Sequence, residues 1–144
     1  MHELRAEIDI RAPAERIWSI LIDFPAYSSW NPFITSAEGV AEKGRRLRVT
    51  IKPVDGGAMT FRPRVTEALA NRELRWLGHL LVPGLFDGEH CFRIESSAGG
   101  ARFVQSERFS GALVPLLTRR LERGTKPGFE AMNAALKRRA EQGL

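Results

Sequence analysis

The sequence predicts an α+β fold in which a curved antiparallel sheet of about seven strands, with two short helices after the first strand, wraps around one long C-terminal helix. Three observations carry this reading. Apolar residues alternate with charged ones over residues 3–11 and through most of the stretch from Arg46 to Phe109. Between these segments lies WSILIDFPAYSSWNPFI (18–34), dense in aromatics and cut by Pro25 and Pro32. From Pro115 to Glu141 the apolar residues recur at helical spacing.

The first element is a half-buried strand with Leu4, Ala6, Ile8 and Ile10 on one face and Glu3, Arg5, Glu7, Asp9 and Arg11 on the other. Ala12-Pro13 opens a helix, since a proline in the first turn sacrifices no hydrogen bond. Ile17, Trp18, Ile20 and Leu21 give that helix its apolar face. Pro25 and Pro32 divide the chain beyond it, because the residue before a proline is pushed out of the helical region. Five large side chains here (Trp18, Phe24, Tyr27, Trp30 and Phe33) need cover, which two short helices obtain by closing one end of a larger body.

Next, Leu47, Val49 and Ile51 face inward, and Asp55-Gly56-Gly57 turns the chain. The returning strand points Phe61, Pro63 and Val65 inward, and a three-residue loop pairs Ile51 with Phe61 and Val49 with Pro63. Asn71 marks another turn, after which Leu74 and Trp76 continue the inner face. Residues 80–88, LLVPGLFDG, read as an apolar loop that either covers a cavity mouth or forms a tightly packed connection.

The last hairpin carries the chemistry. With Ala98-Gly99 as a two-residue turn, Ile94 faces Phe103, Phe92 faces Gln105 and His90 faces Glu107, with opposing Cβ atoms about 5 Å apart. A two-residue slip sets Gln105 or Phe109 opposite His90 instead. Large apolar neighbours define the inner side, so His90, Gln105 and Glu107 are carried inward with them. In the closing helix, Leu117, Leu121, Phe129, Met132 and Leu136 share a side, and Pro127, flanked by Gly124 and Gly128, weakens the middle.

The 144 residues suit one domain, 1–144, that buries on the order of 70% of its unfolded surface. One cysteine, Cys91, excludes an internal disulfide and points to a reducing cytoplasm. MHELRAEIDI lacks the apolar core of a signal peptide, and no run approaches a membrane span, so integral membrane association is not expected. The net charge of +5 raises nucleic-acid binding. However, the dense block Arg119, Arg120, Arg123, Lys126, Lys137, Arg138 and Arg139 is diluted by acids and reads as a solvated helix face. No nucleic-acid reader motif accompanies it.

The order of elements, WSILIDFPAYSSWNPFI, FDGEHCF (86–92) and PGFEAMNAALKRRAE (127–141) together resemble the START-related helix-grip superfamily (SRPBCC), in its polyketide cyclase/dehydrase-like branch. The likeness covers essentially the whole chain. It implies a helix-grip fold with a deep hydrophobic cavity, used across the superfamily for lipids, steroids, polyketides, hormones or quinones. Members include cyclases, aromatases, lipid carriers and chaperone activators, so fold alone does not assign function. The superfamily shares no single catalytic motif that can be matched onto this chain.

The residues themselves then define the candidate site. Trp30, Phe33, Phe61, Trp76, Phe92, Phe103, Phe109, Leu117, Leu121, Phe129 and Met132 are candidate walls, or else the filling of a solid core. His90, Gln105 and Glu107 are the inward polar groups, satisfied by each other, by water or by a ligand. One reading is a carrier or binding protein for a hydrophobic small molecule, a monomer or homodimer. The other is a cyclase or dehydratase in which His90, poised by Glu107, moves a proton on a folded carbonyl compound. A protein-interaction role for the basic helix face trails both. No cofactor is expected: the Gly-Gly pairs sit in hairpin turns, a serine nucleophile elbow is missing, and His2, His79 and His90 lack neighbouring metal ligands. His79 and Cys91 are expected to point away from His90.

Overall fold

The computed structural model describes residues 1–80 and 82–143. Strand β1 (His2–Ile10) buries Leu4 and Ile10, half-buries Ala6 and Ile8, and exposes its acids and Arg5. Helix α1 (Ala14–Leu21) follows Pro13, whose carbonyl accepts from the N–H groups of Arg16 and Ile17. It buries Ala14, Ile17, Trp18 and Leu21. A 3-10 turn (Phe24–Ala26) holding Pro25 separates it from α2 (Tyr27–Trp30). The helical stretch stops because the Asn31 side-chain oxygen takes the N–H groups of Phe33 and Ile34, at 3.0 and 2.8 Å.

Tyr27 locks this end-piece. Its ring meets Phe24 and Trp30 edge-on, and its hydroxyl donates to the Leu21 carbonyl. Burial, helped by the Asp23 charge, raises the phenol well above its ordinary range. The folded state therefore keeps a proton that the unfolded chain loses above about pH 10. Stability from this group is complete below that pH and declines above it, at about 1.4 kcal/mol per pH unit. Tyr27→Phe is expected to cost about 1 kcal/mol at neutral pH and to abolish that alkaline slope. Denaturant titrations from neutral to alkaline pH check this, and since the chain has one tyrosine, phenolate absorbance reports the group directly. A wild-type slope equal to that of Tyr27→Phe would refute it.

The remaining strands are β2 (Ile34–Glu38), β3 (Arg48–Ile51), β4 (Met59–Phe61), β5 (Arg64–Leu69), β6 (Glu73–Leu80), β7 (Phe86–Ser97) and β8 (Gly100–Ser110). Their ladders run β1-β8-β7-β6-β5 and β2-β3-β4, all antiparallel. The Leu47 N–H bonds the Pro63 carbonyl and the Val65 N–H the Arg45 carbonyl, which joins the two ladders into one curving surface. β4 and β5 are one pass of chain broken at Arg62-Pro63, where proline removes a ladder donor. Counted so, the eight segments make the seven strands expected.

Two expectations need correction. Val49 pairs with Phe61 and Ile51 with Met59, so the β3–β4 register lies two residues from that of a three-residue loop. The loop is longer because Val54 N–H is held by the Gly124 carbonyl at 3.1 Å, a tertiary contact that draws residues 52–58 toward the helix. The LLVPGLFDG segment is a loop only in its middle: β6 reaches Leu80 and β7 starts at Phe86, so both ends are strand, residues 82–85 are the turn, and Leu81 lies outside the described residues. The β7–β8 register matches the two-residue turn, with Gly99 at φ 82°.

At the C-terminal side, α3 (Val114–Arg120) passes through one π-helical turn (Leu121–Thr125) into α4 (Lys126–Glu141). Pro127 has no N–H for the carbonyl four residues earlier, and the helix widens just before it. α4 lies against β1 and β8 and buries Phe129, Met132, Asn133, Leu136 and Ala140. No helix among the described residues is long and apolar enough to cross a membrane.

Candidate functional site

A cavity of about 690 Å³ lies between the curved sheet and the α3–π segment. Phe61, Trp76 and Phe109 form its aromatic sheet wall, Phe33 closes one side, and Leu117, Leu121 and Thr125 roof it. The volume falls in the range of small-molecule sites. Two sequence features open it. Gly78 on β6 faces Gly88 on β7, which removes two inward side chains from adjacent strands. The freed space over Gly88 is taken by the Glu107 carboxylate, and Gly78 is covered by the Phe61 ring. On the helix side, α4 packs down on β1 and β8, whereas the wider π turn and α3 roof the space instead of filling it.

Register 90–107 and 92–105 on β7 and β8 brings the three polar residues together. His90 Nδ1 lies 3.1 Å from Glu107 Oε1, and His90 Nε2 lies 2.8 Å from Gln105 Oε1. The Gln105 amide group donates to Asn133 Oδ1 at 2.9 Å and to the Phe129 carbonyl at 3.4 Å. A backbone carbonyl only accepts, so these bonds assign the amide nitrogen of Gln105 to the helix side and its oxygen to His90. His90 Nε2 must then carry a hydrogen. That leaves Nδ1 facing the Glu107 carboxyl, where a hydrogen bond needs one proton, carried by the imidazole or by the carboxyl. His90 is 4% exposed; its ring is packed by Trp76, Phe92 and Phe129, at centroid distances of 5.6, 4.5 and 5.0 Å. Both His90 and Glu107 border the cavity.

Of the walls expected from sequence, Phe33, Phe61, Trp76, Phe109, Leu117 and Leu121 line this space. Trp30, Phe92, Phe103, Phe129 and Met132 do not, and neither does Gln105. Phe92 stacks on Phe103, Phe129 meets Phe33 edge-on, and Gln105 is fully buried beneath α4, so this half of the inner face is solid core. Trp30 packs on Tyr27. The β1–α1 junction lies against Gly100, at the turn end of the last hairpin, while Phe86 and His90, near the other end of β7, border the cavity. The end-piece therefore closes the core, and only Phe33 and Ile34 extend to the cavity.

Asn133 was not singled out by sequence. Its signal was the helical spacing from Phe129 and Leu136, which places it on the buried side. Arg119, Arg120 and Arg123, read as a solvated face, are exposed and also border the cavity. His79 is exposed and bonds Asp87 at 2.7 Å, which holds that carboxyl below the usual carboxylate range. Asp87 in turn accepts from the Gly84 N–H and secures the loop before β7. Burial pushes the Cys91 thiol up, with no His90 contact. Among the described residues no acidic, histidine or cysteine group is arranged to hold a metal ion.

Fold and cavity together define a START-like helix-grip protein. A family profile, "Polyketide cyclase / dehydrase and lipid transport", matches residues 1–141, and the chain belongs to that family. Similar solved structures include the Zhui aromatase/cyclase from Streptomyces sp. R1128, at 18% identity, TM-score 0.78, over 98% of this chain and 94% of that one. A START superfamily protein from Mycobacterium smegmatis has 22% identity and TM-score 0.75, with 99% of both chains covered. The di-domain ARO/CYC BexL of the BE-7585A biosynthetic pathway has 12% identity and TM-score 0.80, over 99% of this chain and 51% of that one. These likenesses establish the fold. No curated protein sequence matches.

Proposed function

We propose that this chain binds an apolar small molecule carrying one hydrogen-bonding group, of the lipid or polyketide type, with that group met by the His90–Glu107 pair. The observation behind this reading is a hydrogen-bonded pair, its histidine buried, bordering a cavity whose sheet-side lining includes Phe61, Trp76, Phe86 and Phe109. Family membership supports the ligand class. Native mass spectrometry of the purified protein is expected to show a retained apolar molecule, and N-phenyl-1-naphthylamine fluorescence is expected to rise on binding. Leu121→Trp, which fills the cavity, is expected to reduce both. A protein that carries nothing and leaves the dye dark would overturn the reading.

The same pair favours a second reading, acid–base catalysis of a cyclisation or dehydration, since an imidazole held by a carboxyl is suited to moving a proton. Glu107→Gln preserves size and hydrogen bonding but removes the carboxyl that can take up a proton. If the pair does chemistry, affinity persists while turnover of a β-hydroxyketone falls by about 10²–10⁴. Loss of affinity alone in Glu107→Gln and His90→Ala identifies a carrier, and turnover that survives both replacements removes the pair from the chemistry.

A further inference from the structure

Six strand arginines are ion-paired: Arg5 with Glu7, Arg48 with Glu38, Arg75 and Arg93 with Glu73, Arg102 with Asp9, and Arg108 with Glu3. Arg119, Arg120 and Arg123, where α3 enters the π turn, are exposed, border the cavity and have no ion-pair partner among the described residues. Their neighbour Glu122 is engaged by His2 instead, at 3.0 Å. Asp55, lying against Gly124, is the carboxylate at this edge, and Glu107 is held deeper by His90. Three guanidiniums thus face one carboxylate, with Arg119 and Arg123 at a spacing where like charges oppose helix formation. A planar guanidinium is suited to two-point binding of an oxyanion.

We infer that the ligand is an amphipathic anion, its apolar body in the cavity and its carboxylate or phosphate held at the mouth by Arg119, Arg120 and Arg123. This rests on the cavity being a ligand site, and it adds a charge at the end of the molecule away from His90. The anion stays partly hydrated at the mouth, which keeps its desolvation cost small while the apolar body gains from burial.

The test compares 1-pyrenebutanoate with its neutral methyl ester on the wild-type chain and on R119Q/R120Q/R123Q, whose exposed positions keep the fold. In the wild type the acid is expected to bind about tenfold tighter than the ester. That margin is expected to shrink in about 1 M salt, where charges are screened within a few ångströms. In the triple variant it is expected to vanish, acid affinity falling to that of the ester. Competition by dodecanoate and by dodecyl phosphate separates the two oxyanions. Ester that binds as well as acid in the wild type, or a margin that survives in the triple variant, overturns the inference and leaves the cavity reading intact. If neither probe nor competitor binds, the cavity reading falls and the inference falls with it.

Discussion

Gly111→Ala is expected to cost about 3 kcal/mol or more, enough to shift a urea midpoint by about 1–3 M. Gly111 has φ 116°, a conformation that L side chains rarely adopt. An added Cβ would also stand 2.5 and 2.6 Å from the Leu85 carbonyl oxygen and carbon, and 2.9 Å from the Gly84 oxygen. These are backbone atoms, so no rotamer relieves the overlap. The crowded loop is bonded to the same place: Ala112 and Leu113 donate to the carbonyls of Gly84 and Leu85. Moving it drags Phe86, a cavity residue, and weakens ligand retention together with stability. Two controls separate the causes. Gly44→Ala meets the strain without the crowding, φ being 88° in open space, and is expected to cost about 1 kcal/mol. Gly57→Ala meets neither and is expected to be near neutral. Equal costs at Gly111 and Gly44 would mean that the loop does not approach as closely as described.

The features legible in the sequence and those hidden from it differ by the range of the contacts involved. The β7–β8 register was legible because Ala98-Gly99 is a two-residue turn and period two then fixes every opposite pair, including His90 with Glu107. The β3–β4 register was not, since its loop length is set by a bond from Val54 to Gly124, far away in the chain. The weakened middle of the last helix was legible in Pro127, though its form as a π turn was not. Alternation also identified the inner face correctly but could not divide it. Whether Phe61 borders a cavity and Phe103 fills a core depends on where α4 descends onto the sheet, and packing along the whole helix decides that. The arginines at the mouth illustrate the same limit: helical phase made them exposed, and only the fold shows what they are exposed to.

Gln105→Leu is expected to destabilise the fold by about 2–5 kcal/mol, although leucine nearly preserves the volume. Gln105 is fully buried and joins both halves of the polar network, accepting from His90 and donating to Asn133 and the Phe129 carbonyl. Its loss leaves the His90 Nε2–H and the Asn133 oxygen buried without partners, at about 1–3 kcal/mol each. Asn133→Leu should be far milder, because the Asn133 amide nitrogen already lacks a partner and is removed along with the oxygen. Adding Asn133→Leu to Gln105→Leu deletes one of the two orphans. The double variant is therefore expected to be less destabilised than the sum of the singles by about 1–2 kcal/mol, a coupling that a double-mutant cycle in urea measures. Additive costs would show that Gln105 acts through packing alone. The consequence reaches the cavity, because Gln105 is what assigns the hydrogen to His90 Nε2 and leaves Nδ1 to face Glu107. Without it the imidazole is free to take the other tautomer, with its hydrogen on Nδ1 and the Nε2 lone pair facing an apolar leucine. Nitrogen-15 shifts of the His90 ring should then move toward that tautomer in Gln105→Leu and stay in place in Asn133→Leu. Identical ring shifts in wild type and Gln105→Leu would mean that Glu107 alone positions the proton.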